Sequence, residues 1–123
     1  GVEISGEIPA VSALDYIDVK FDADRELNEY ALINDWQSSI SFEFCRMRSY
    51  HMVTVTASNP GPEVKLTITA AESKRVVAEV VIPPTGSMTK FTTVNAAAEP
   101  VDGVFTLRMT TSGMLSLKSF KFS

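Results

Sequence analysis

The sequence predicts an all-β domain, an antiparallel sandwich or barrel, on three observations. Apolar and polar residues alternate at period two from Ser38 onwards, clusters of turn-forming residues interrupt them about every ten residues, and no segment sustains a helical period. Six or seven strands rich in Val and Thr follow from that spacing.

The elements are justified in order. The first 35 residues are irregular: Ile8, Val11, Leu14, Ile17 and Phe21 read as helical or loop-like, although Tyr16 to Phe21 also suits a strand. Ile40, Phe42 and Phe44 then fall on one face of a strand, with Ser39, Ser41 and Glu43 on the other. Arg46 to Ser49 reads as the turn into a strand built on Val53, Val55 and Ala57, which Ser58-Asn59-Pro60-Gly61-Pro62 stops. Val64, Leu66, Ile68 and Ala70 form the apolar face of the next strand. A polar turn from Glu72 to Arg75 leads into a buried strand, Val76 to Ile82, which Pro83-Pro84-Thr85-Gly86 ends. Thr89 to Asn95 follows, then a loop over 99–103. Phe105, Leu107 and Met109 pair through a hairpin at Ser112-Gly113 with Leu115 to Phe122. In that last strand Leu115 and Leu117 have one phase and Phe120 and Phe122 the other, which a bulge near Lys118-Ser119 reconciles.

Length and charge bound the function. The 123 residues make one domain, 1–123, large enough to bury a core without metal or disulfide. Gly1 in place of an initiator Met reads as a processed chain or as part of a longer one. No apolar run approaches the ~20 residues of a spanning helix. The net charge of -4 disfavours a phosphate-backbone partner, so no nucleic acid is expected. That charge is uneven: residues 1–45 carry -8 and residues 46–123 carry +4, with no linker between them.

Chemistry-bearing motifs are sparse. Cys45 and His51 are single, too few for a zinc site, and Cys45 continues a strand as a small core residue instead of serving as a nucleophile. Asp22, Asp24 and Glu26 alternate as calcium ligands sometimes do, but the run lacks the turn Gly and closing Glu of an EF-type loop and reads as a solvated acidic face. No nucleophile elbow, P-loop or dinucleotide fingerprint is present, so no enzyme is predicted. The aromatics are more informative. Tyr30 and Trp36 flank Asn34 and Asp35, residue types that serve sugar sites through ring stacking and hydroxyl hydrogen bonds. Trp36 is expected to cap the core, because Trp buries a large area in a small protein.

The order of motifs resembles a family 6 carbohydrate-binding module. Tyr30 and Asp35-Trp36 keep the spacing of that family's Tyr-Ile-Asp-x-Gly-Asp-Trp stretch, Val55 to Asn59 matches a following "vasn", and Ile82 to Phe91 approaches "vpptGgWqtw". Gly103 to Met109 and Leu115 to Phe122 resemble the family's closing strands. The resemblance implies a jelly roll of the galactose-binding-like kind, a carbohydrate partner, and a place beside a secreted bacterial glycoside hydrolase, fucosidase-like proteins included. It implies export to the medium, periplasm or cell surface, and the alternative of a spacer that has lost sugar binding and contacts an adjacent catalytic domain. It implies a loop site in which Tyr30 is the stacking platform, Asn34 and Asp35 are polar partners, Met88 is the opposing wall in place of a tryptophan, and Ser116 and Lys118 form the rim in place of an asparagine. The family's structural calcium takes an acid where Lys118 stands, so no cofactor is expected and calcium is weakly supported.

Overall fold

A computed structural model describes residues 6–123 and the backbone of Val2–Glu3. Gly1 lies outside the described residues. The strands are β1 (Val2–Glu3), β2 (Ile8–Pro9), β3 (Asp15–Ile17), β4 (Val19–Ala23), β5 (Glu29–Ile33), β6 (Ser39–Arg48), β7 (Met52–Ser58), β8 (Val64–Ala70), β9 (Arg75–Ile82), β10 (Thr92–Ala97), β11 (Asp102–Thr111) and β12 (Leu115–Phe122). They form the two packed sheets of a jelly-roll sandwich. The first runs β1-β6-β11-β8-β9 with β3 also on β6, and the second runs β10-β7-β12-β5-β4 with β2 also on β12. Pairing is antiparallel throughout, except that β1 lies parallel to β6.

Alternation decides which side chains enter the core. Val53, Val55 and Ala57 of β7, Ala31 and Ile33 of β5, and Leu115, Leu117, Phe120 and Phe122 of β12 face Ile40, Phe42, Met47, Leu66, Ile68, Leu107 and Met109 of the first sheet. Phe120 bridges the layers, edge-on to Phe42 at 4.8 Å and to Phe122 at 6.1 Å. The bulge in β12 falls where the phase change places it, with the register shifting between Leu117 and Ser119.

Five expectations are corrected. Ser112-Gly113 does not close a paired hairpin: the chain crosses there from β11, paired with β6 and β8 in the first sheet, to β12, paired with β2, β5 and β7 in the second. β9 is not buried on both faces but is an edge strand with Val76 and Val81 about half exposed. The strand over Ile40 does not turn at Arg46: β6 runs on to Arg48, because a second bulge resets its phase. Opposite it the β11 register shifts between Phe105 and Leu107, and Phe44 takes a left-handed φ of 57°. Phe42, Cys45 and Met47 therefore point inward, while Phe44 is 63% exposed. The helical reading of the first residues also fails. Apart from one 3-10 turn at Ala10–Ser12, the segment Tyr16 to Phe21 is extended, broken at Asp18 (φ 51°) into β3 and β4. β10 begins at Thr92 and not at Thr89, so residues 83–91 remain a long connection.

Candidate functional site

The outer face of the second sheet carries a row of side chains set by register. Lys20 pairs with Leu32, Leu32 with Ser116, and Ser116 with Ser58, so these four cross β4, β5, β12 and β7 in line. Their neighbours Val19, Phe21, Ala31, Ile33, Leu117 and Ala57 pack inward, which turns the row outward.

One end of the row is open. Tyr16, Asp18, Val19, Lys20, Leu32 and Asn34 line a groove of about 380 Å³. Tyr16 is half exposed, and its ring is braced edge-on against Phe21 at 4.8 Å. The Asn34 side chain donates to the Asp18 carboxylate at 3.2 Å, which fixes the amide and leaves its carbonyl oxygen as an acceptor. The turn behind it is wrapped around the buried Ser38 hydroxyl. That oxygen accepts from the backbone N–H groups of Asn34 and Asp35 and donates to the Asp18 carbonyl at 2.9 Å. Asp35 is held within this turn, its carboxylate accepting from the Gln37 N–H at 2.8 Å.

The other end is covered. Residues 83–91 fold back over β7 and β12, so that Ser58 donates to the Met88 carbonyl and Ser116 points at the Met88 sulfur, 3.9 Å away. Both serines are fully buried although they stand on an outer face. Beside them the Phe91 ring lies 5.9 Å from that of Tyr30, with the Lys118 ammonium 5.6 Å from its centre. Tyr30 is only 8% exposed. Its phenol is held above the usual tyrosine range by burial and, next, by the charges of Asp22 and Asp24.

The six residues selected from sequence thus separate into three groups. Tyr30, Met88, Ser116 and Lys118 meet in the covered half, Asn34 lines the open groove, and Asp35 belongs to the turn. Asn34, one residue past the end of β5, lies four residues from Tyr30, about 13 Å at strand rise. Sequence reasoning missed Tyr16 and Phe91. Phe91 had a signal, being the aromatic that follows the Pro-Pro-Thr-Gly stop; Tyr16 lay in the irregular stretch, where no periodicity singled it out.

Trp36 does not cap the core. It is 70% exposed at the tip of the turn, because the Ser38 hydroxyl and the Asp18 bend close that end of the sandwich without it. Cys45 is buried and its thiol is pushed up to about 11, chiefly by desolvation, so it stays protonated at neutral pH. His51 is exposed and gives Cys45 no base. Asp24 accepts from the N–H groups of Glu26 and Asn28 and from the Asn28 side chain, which uses its oxygens to build the β4–β5 loop. Among the described residues no group of three or more His, Cys, Asp or Glu side chains is placed to hold a metal ion.

No protein-family model matches the sequence, and no curated protein matches it either. Solved structures do match its fold. A family 6 carbohydrate-binding module from Clostridium stercorarium, in complex with cellobiose, superposes with a TM-score of 0.89 at 15% identity, over 98% of this chain and 95% of that one. One from Clostridium cellulolyticum, in complex with xylose, gives 0.85 at 12% identity over 99% of both chains. A glycoside hydrolase family 43 arabinoxylan arabinofuranohydrolase from Bacillus subtilis, in complex with cellotetraose, gives 0.83 at 11% identity, over 99% of this chain and 28% of that one. The fold is that of the family 6 carbohydrate-binding modules.

Proposed function

We propose that this chain is a non-catalytic carbohydrate-binding module of an exported bacterial glycan-degrading protein. One observation carries the reading: on a fold shared with sugar-binding modules, an open groove joins a half-exposed, braced aromatic ring to an apolar floor and a polar rim. A sugar places its C–H face against Tyr16 and Leu32, while its hydroxyls meet the Lys20 ammonium and the Asn34 carbonyl. The calcium of the resemblance has no part in this contact.

The test is calorimetric titration of the domain with cellobiose, xylose, cellotetraose and soluble arabinoxylan. Tyr16→Ala is expected to weaken binding about tenfold, the scale of one lost ring contact, with the melting temperature almost unchanged. Unchanged affinity in that variant removes the groove as the seat.

A second reading, a spacer docked on a neighbouring catalytic domain, is favoured by one observation. Leu14, Ile17 and Trp36 are 76%, 58% and 70% exposed, apolar surface that a docked partner would cover. If no glycan in the panel binds and the domain raises the melting temperature of an adjoining catalytic domain, this reading replaces the first.

A further inference from the structure

Two buried hydroxyls beneath a methionine on an outer sheet face call for an explanation. A thioether sulfur is a weak acceptor, so Ser116 is stripped of water for little return. The segment above is fastened at its root, by the Thr85 hydroxyl donating to the Ser87 carbonyl at 3.1 Å, and over the sheet by the Ser58 hydroxyl at the Met88 carbonyl. At the root the N–H groups of Thr85 and Gly86 donate to the Asn59 carbonyl at 2.8 and 3.2 Å, and the Thr85 hydroxyl accepts from the Asn59 N–H at 2.9 Å. Asn59 is itself buried, its amide donating to the carbonyls of Pro62 and Ile82. Beyond Gly86, whose φ of 82° suits a pivot, strand pairing resumes only at Thr92. Between them Ser87 and Thr89 bond to one another, and Met88 meets the sheet through Ser58 and Ser116.

We propose that Met88 is a displaceable plug, and that residues 87–90 swing on Gly86 to extend the sugar groove across β12 and β7. This rests on the carbohydrate-binding reading and deepens it. The register makes Ser116 and Ser58 the direct continuation of Lys20 and Leu32, so opening lengthens the accessible row from one strand spacing to three, about 14 Å. The hydroxyls of a longer oligosaccharide then replace the Met88 carbonyl and sulfur as partners of the two serines. A short sugar fits the open half and leaves the plug seated. Because the closed form must be displaced, affinity for the longer ligand is reduced by the fraction of molecules that are open.

The experiment compares wild type, Met88→Ala and the volume-conserving Met88→Leu against xylose and cellotetraose, together with relaxation dispersion of the Met88 methyl group. The plug predicts that Met88→Ala binds cellotetraose about tenfold more tightly and xylose no differently, that Met88→Leu behaves as wild type, and that the wild-type methyl exchanges on the microsecond-to-millisecond scale. A Met88→Ala variant that binds cellotetraose less tightly makes Met88 a contact wall and overturns the plug, as does a methyl group without exchange. If neither sugar binds any variant while the methyl exchanges, the carbohydrate-binding reading is what fails.

Discussion

The open groove and the covered cluster hold the same kinds of residue and use them in opposite ways. Tyr16 and Tyr30 are both tyrosines braced by a phenylalanine, Phe21 and Phe91 respectively. Tyr16 keeps half of its surface in water; Tyr30 keeps 8%. An aromatic ring hidden in the free protein contributes its buried area to folding, and one left half in water contributes less and stays reachable from solvent. Residue type therefore does not separate a platform from a packing residue. What lies above each ring does: solvent at Tyr16, and the 83–91 connection at Tyr30.

Paired substitutions sharpen the contrast most. Tyr30→Ala is expected to cost about 3 kcal/mol, as for other buried aromatics, and to lower the melting temperature by roughly 10 °C. Tyr16→Ala should stay within about 1 kcal/mol of wild type in the same thermal scan. Equal losses in the two variants would erase the distinction between groove and cluster.

Alkaline titration gives a smaller effect. The folded phenol of Tyr30 has a raised pKa, whereas the unfolded one ionises near the ordinary value of about 10. Between the two the folded chain binds more protons, so stability present below pH ~10 is lost as pH rises through the folded pKa. Urea midpoints measured against pH should fall more steeply for wild type than for Tyr30→Phe. The smallest effect belongs to Trp36: with its side chain in solvent, Trp36→Ala should change the unfolding free energy read from a urea titration by no more than about 0.5 kcal/mol. A larger loss would mean that the turn around Ser38 depends on the indole after all.

Legibility in the sequence followed periodicity. From Ile40 to Phe122 the apolar alternation located most strands, and the phase change between Leu117 and Phe120 located a bulge. The same signal was present in β6, where the apolar positions pass from 40 and 42 to 45 and 47, but Phe44 continued the earlier phase and concealed it. Trp36 was misplaced because its size argues for burial, whereas its position depends on one hydroxyl, that of Ser38, bonding across some twenty residues to Asp18. The motif order identified the covered cluster. It did not reveal the cover, because a side chain's exposure depends on where a distant loop comes to rest.

The bend at Asp18 has a mechanical consequence. The chain leaves the first sheet at Ile17 and joins the second at Val19, with a single residue between. The wall of the open groove is thus borne by one sheet and its floor by the other. Any sliding of the layers therefore alters the width of the groove directly, so the bend at Asp18 ties the shape of the groove to the packing of the two sheets.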